Sequence, residues 1–251
     1  MKLKPGWGIT LTASLLSCAG LPPGNVNSLN TTAAAETRRQ LGLEYLARGD
    51  LNAARFNLEK AVNSAPEDYR AQLAMALYEQ KIGENRAAKQ RYQYAMQLAP
   101  ENGTVLNNYG AFLCGLGHYV AAQQQFGMAA ALPDYAQVAD SFENAGYCFL
   151  KADNVHKAKE FLSTALKYDA DKGEFLLAEA KKQCEEGRHA RAQLLLDIYQ
   201  NSLPASAESL WLQIRFAALT NRHDTVRNYG RQLAQNFPHS EQYQHFLANE
   251  Y

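Results

Sequence analysis

Charge of one sign is not in excess in this 251-residue chain: Lys plus Arg number 25 and Asp plus Glu number 25. A net charge of +0 speaks against a nucleic-acid partner and against a strong pull to anionic lipid. Long apolar runs are also missing. The mainly apolar stretch from Trp7 to Leu16 runs for ten residues, too few to span a bilayer. Cysteine is scarce, with four in all, and no Cys-x-x-Cys pair occurs. Neither do His-Glu-x-x-His, Gly-x-Ser-x-Gly or the Gly-x-x-x-x-Gly-Lys-Ser/Thr phosphate loop, so no metalloprotease, serine hydrolase or nucleotide-binding motif is written here. The carboxylate pairs Glu185-Glu186 and Asp140/Glu143 read as solvated helix faces. No catalytic residue, metal ligand or cofactor is assigned, and the expectation is a protein without enzymatic activity. With hydrophobic residues at 47% and charged ones at 20%, composition is that of an ordinary folded chain.

What is present is a period. Pro66 and Pro100 stand 34 apart, as do Ala54, Ala88 and Ala122, and Gly42, Ala76 and Gly110. After a slip at Gln137 and Val138 the step resumes in Gly146, Ala180 and Ile214, in Ala158, Ala192 and Val226, and in Pro204 and Pro238. Small residues where two helices touch, and a proline closing each unit, mark the tetratricopeptide repeat. The fold class is therefore all-α, a right-handed superhelix of about six such repeats. The units fall at 35–68, 69–102, 103–136, 139–172, 173–206 and 207–240, and 241–251 suits a capping helix over the last open face. Turns between paired helices are predicted at Gly49, Gly83, Gly117, Asp153, Gly187 and Asn221, residue types that tolerate the left-handed conformation ending a helix. His118, His156, His189 and His223 lie in or just after turns of separate units, too far apart to share a metal. Unit six fits worst, with Ile214, Val226 and Leu233 where small residues are expected.

The N-terminus reads differently. Lys2 and Lys4 precede the apolar ten, and Leu15-Leu16-Ser17-Cys18 follows. This resembles a bacterial lipobox, which implies a signal peptide over 1–17, acylation of Cys18 and, with Ala19 next, sorting to the outer membrane, on its periplasmic side. Ordinary cleavage after Ser17-Cys18-Ala19 is the other reading. Residues 18–34 are rich in turn formers and poor in apolar anchors, a flexible tether between lipid and repeats.

First helices line the concave side of such a stack. Their groove-facing positions give a partner-binding set of Leu43, Leu46, Leu73, Leu77, Asn108, Asn144 and Tyr147, within the first four units. The leucines serve equally well as packing between units. The asparagine amides suit an extended peptide backbone, since each both donates and accepts. Cys114 and Cys148 lie in neighbouring first helices, so a disulfide between them is possible. The alternative is that Cys114, Cys148 and Cys184 are small buried hydrophobes.

The run Asn107-Asn108-Tyr109-Gly110-Ala111-Phe112-Leu113-Cys114, the Leu132-Pro133-Asp134-Tyr135 before the slip, and Asn144-Ala145-Gly146 after it closely resemble the type IV pilus biogenesis and stability lipoproteins, the tetratricopeptide-type pilotins called PilF or PilW. The resemblance covers the whole chain. It implies a monomeric outer-membrane lipoprotein that binds the pilus secretin and promotes its localisation and multimerisation. A periplasmic scaffold recruiting peptidoglycan or outer-membrane-assembly machinery is the competing expectation.

Overall fold

A computed structural model describes residues 26–251, with side chains from Thr32 onward. Cys18 and the signal segment 1–17 lie outside the described residues. Among those described there are thirteen α-helices and no strand. Six antiparallel pairs follow one another: α1 (Val26–Arg48) with α2 (Leu51–Ser64), α3 (Tyr69–Lys81) with α4 (Asn85–Leu98), α5 (Gly103–Gly115) with α6 (Tyr119–Ala130), α7 (Val138–Lys151) with α8 (Val155–Tyr168), α9 (Lys172–Glu185) with α10 (His189–Ser202), and α11 (Ala207–Leu219) with α12 (His223–Asn236). A thirteenth helix, α13 (Glu241–Leu247), closes the series. The pairs stack as a right-handed tetratricopeptide superhelix. Among the described residues no helix is long and apolar enough to cross a membrane. At its start α1 departs from the sequence reading: residues 26–34, placed in the tether, are helical.

Local chemistry explains where helices begin and end. Asp50, Asp68, Asn102 and Asn154 each accept a first-turn backbone N–H, and Ser206 forms a capping box with Ser209. Such caps satisfy donors that the helix itself leaves unpaired. The six predicted turn residues all have positive φ, from +55° at Asp153 to +84° at Gly83. The two-residue slip is absorbed in the loop 131–137, where Tyr135 lies over Gly103 so closely that a Cβ there would collide with its ring.

Inside each unit one small and one large residue interlock. A Cβ added at Gly42 would come within 2.5 Å of Leu58, one at Gly110 within 2.7 Å of Phe126, and one at Gly146 within 2.6 Å of Leu162. Ala76 faces Tyr92 and Ala180 faces Leu196 at the same repeat positions, all buried. Close approach of the backbones fills each pocket at crystal-like density. Unit six exchanges the sizes: Ile214, fully buried, stands at the small position, and Gly230 at the large one. The space above Gly230 is taken by Phe246 of α13. Gly230→Leu is therefore expected to expel Phe246 and lift α13. The overpacking should cost about 1–3 kcal/mol. Trp211 stacks on His245 and meets Tyr251 edge-on, so its fluorescence reports the event, and an unshifted spectrum would count against this account of the cap.

Successive first helices do not pack uniformly. α1 packs on α3, α5 on α7 and α9 on α11, whereas at the α3/α5 and α7/α9 junctions the first helices stand farther apart and the units are joined chiefly through second helices.

Candidate binding groove

Two rows at repeat spacing run along the first helices. One runs Leu43, Leu77, Ala111, Tyr147, Lys181, Arg215; the other runs Gln40, Ala74, Asn108, Asn144, Ala178, Leu212, of which Ala74 and Leu212 are buried in the core. Leu43 and Leu77 are half-buried in the first row. Leu46 lies outside both rows and, with Leu43, packs against the core of Ala54, Leu58, Ala74, Met75 and Tyr78. Leu73 is only 8% exposed and sits in the core with Tyr92 and Tyr109. It is thus a packing residue between units rather than a groove contact, because its helix turns that position toward the neighbouring unit.

The asparagines are engaged within the fold. Asn108 donates its amide to the Thr104 carbonyl at 2.8 Å, and Asn144 donates to Asn107 Oδ1 at 3.2 Å. Each amide uses one of its two N–H donors in this way and keeps the other, together with its side-chain oxygen as an acceptor.

A hollow of ≈ 940 Å³ opens between α7, α9 and the start of α10. Asn144 and Tyr147 lie on its α7 wall, and Phe175 and Ala178 on its α9 wall. Ala178 occupies the row that carries Asn108 and Asn144, so the wall is cut back where α9 begins to diverge from α7. Ion pairs brace both ends. Lys172 Nζ reaches Asp140 Oδ1 at 2.5 Å and Glu143 Oε2 at 2.9 Å; Arg191 holds Asp153 at 3.0 Å and the Leu150 carbonyl at 3.3 Å. Burial alone would depress the Lys172 ammonium, but its two carboxylate partners outweigh burial and raise its pKa. Asp140 and Glu143, read from sequence as solvated, are thus one clamp from α7 to α9. No pattern in the sequence tied Lys172 to them. Burial pushes the Tyr147 phenol up, with Glu143 and Glu179 adding to the shift, so Tyr147 keeps its proton and remains a donor.

A second, smaller hollow of ≈ 290 Å³ lies one junction on, lined by Leu196, Leu212, Phe216 and Leu219 with Lys181 and Arg215 at its edge. The free thiol of Cys184 is half-buried there, and burial raises its pKa, which keeps it protonated and unreactive. Both hollows lie at junctions four–five and five–six. Of the predicted partner set only Asn144 and Tyr147 line one of them; Leu43, Leu46, Leu73, Leu77 and Asn108 do not.

Cys114 and Cys148, 34 positions apart in sequence, are joined, with their Cα atoms 5.8 Å apart. The bridge ties α5 to α7 beside the asparagine pair. Among the described residues no cluster of three or more His, Cys, Asp or Glu gathers as a metal site.

No family model matches the chain. It is 31% identical over 254 residues to the type IV pilus assembly protein PilF of Pseudomonas aeruginosa, with 100% of each chain covered. Its fold is similar to the solved structure of Pseudomonas aeruginosa PilF, at a TM-score of 0.60 and 31% identity over 88% of this chain and 99% of that one. It is also similar to the structure of PilW, a widely conserved type IV pilus biogenesis factor, at a TM-score of 0.59 and 27% identity over 89% and 100%.

Proposed function

Because the chain belongs to the PilF family of tetratricopeptide proteins, we propose that it serves type IV pilus biogenesis as an outer-membrane lipoprotein, capturing the pilus secretin and promoting its placement and multimerisation there. The observation that carries this reading is the full-length likeness to PilF together with a concave face built of side chains that can hold a polypeptide. In such a carrier the acyl chains at Cys18 supply the address and the groove supplies the grip. The chemistry is recognition alone: no bond of the client is broken or formed.

The two parts should fail differently. Cys18→Ser is expected to abolish labelling by radioactive palmitate and to strand secretin multimers away from the outer membrane, while secretin still co-purifies with the variant. A clean deletion should remove both multimers and surface pili. Normal multimers and normal pili in the deletion strain would overturn the proposal. Recovery of peptidoglycan or outer-membrane-assembly enzymes in place of secretin, in a mild-detergent pull-down, would establish the scaffold role instead.

A further inference from the structure

We propose that α13 and the tail behind it form a pH-gated cover of the terminal face, held down by charged His245 and released when that charge is lost. Local structure sets the latch. Ser240 caps α13 by accepting the Tyr243 N–H at 3.2 Å, and Asn249, at φ +57°, turns the chain back after the helix. Asparagine tolerates that left-handed conformation. The Glu250 N–H then donates to the His245 carbonyl at 3.1 Å, and the Glu250 carboxylate meets Nδ1 of the His245 ring. Glu241, one helical turn earlier, stands 3.5 Å from Nε2 of the same ring. The ring also lies on the Trp211 indole of α11, with centroids 5.8 Å apart and planes at 28°. Two carboxylates and the negative face of an indole thus meet one imidazole, and all three favour its protonated form.

The rest of the attachment is light. No side chain of α13 is fully buried. Tyr243 and Phe246 pack part-buried on the unit-six core, Tyr251 adds ring contacts to Trp211 and Phe246, and Gln242 donates to Glu208 of α11 at 3.1 Å. The other charged groups of the helices beneath are engaged elsewhere. Arg215 of α11 acts on Cys184. Arg227 and Arg231 of α12 border the hollow beside Phe246, with Arg227 paired to Asp224. His239, in the loop before α13, is exposed. A segment so lightly held opens locally at little cost, so one titrating contact can decide its position.

The direction follows from linkage. The hydrogen bond to Glu250 leads the causes that raise the His245 pKa above the ordinary histidine value; desolvation opposes it and Glu241 adds to it. A cover that binds a proton more tightly when closed is, reciprocally, closed by the proton. Its hold is complete below the ordinary value and is lost as pH rises through the raised one. With the cover lifted, Trp211 and the seat of Phe246 over Gly230 are bare, so unit six presents a face that exists only on the alkaline side.

The test uses the full chain with Trp7→Phe, which leaves Trp211 as its sole tryptophan. Two readings are taken between about pH 5 and pH 9. One is the Trp211 emission maximum with acrylamide quenching. The other is release of Tyr251 by a carboxypeptidase, normalised to a free peptide of the last eleven residues. Trp211, 9% exposed, should be shielded at the acid end. With rising pH the maximum should move to the red, and normalised Tyr251 release should increase at least about threefold. His245→Gln should make both readings independent of pH. His245→Lys, charged throughout, should keep the cover down at the alkaline end. Glu250→Gln should move the midpoint toward acid. A parent whose readings do not change with pH overturns the proposal, and so does a pH response that His245→Gln leaves intact. Circular dichroism separates lifting of the cover from melting of the stack: wholesale loss of helix together with the Trp211 signal also overturns it.

Discussion

Phe126→Ala is expected to lower the unfolding free energy by about 3–5 kcal/mol, read as a fall in the urea midpoint. Phe126 is 2% exposed and presses on Gly110, in a core that also contains Tyr92, Tyr109 and Phe112. Gly110 has no side chain to move into the vacancy, so the cavity persists and the loss sits at the upper end of its class. The position matters as much as the volume. In a stack each unit leans only on its neighbours, so a lesion in unit three separates two halves that otherwise unfold together. The transition should therefore broaden or split as well as shift. Adding Gly110→Ile to the cavity variant copies the size exchange of Ile214 and Gly230, and should recover part of the loss. A change below about 1 kcal/mol would show that Phe126 is not an anchor of the core.

The second large effect belongs to the disulfide. Replacing Cys114 and Cys148 together by alanine frees a loop of 34 residues and is expected to cost about 3–4 kcal/mol by chain entropy. Both positions are buried, at 6% and 1% exposure, so alanine leaves little strain and only a small cavity. Reductant should lower the stability of the parent protein by a similar amount and leave the double variant unmoved. Cys184→Ala, which opens no loop, should fall within about 1 kcal/mol of the parent. Identical denaturation midpoints with and without reductant would remove the bridge from any account of stability.

These cases show which parts of the molecule were written legibly. The six turn residues could be read because positive φ admits few residue types, and Gly, Asp and Asn recur at that one place. The small positions Gly42, Gly110 and Gly146 could be read because small residues recur at one step; that Leu58, Phe126 and Leu162 are the side chains they admit is visible only in the packing. Unit six was misjudged as worn down because a size pattern scores positions singly, while packing constrains their sum: Ile214 with Gly230 fills the same kind of space from the other side. The start of α1 was missed because the Asn and Thr residues of 26–34 favour turns in isolation, yet here they continue a helix already paid for by packing further along. Leu73 stayed open between groove and packing because a 34-residue period fixes a residue's place in its unit and not whether that face meets the groove or the next unit. The α7/α9 hollow was illegible for a related reason. It arises where two helices fail to meet, and neither Ala178 nor Lys172 announces a gap.

Gly230 and Phe246 carry one more consequence. A chain of like units, each offering its neighbour a face that fits, has the grammar of a polymer, and nothing in the repeat says where growth should stop. With Phe246 seated over Gly230, the last face is spent on the molecule's own tail, as a terminator ends a growing strand. Cut away α13 and the space above Gly230 that Phe246 fills is left uncovered. Seven residues of helix thus cover the face that unit six leaves open.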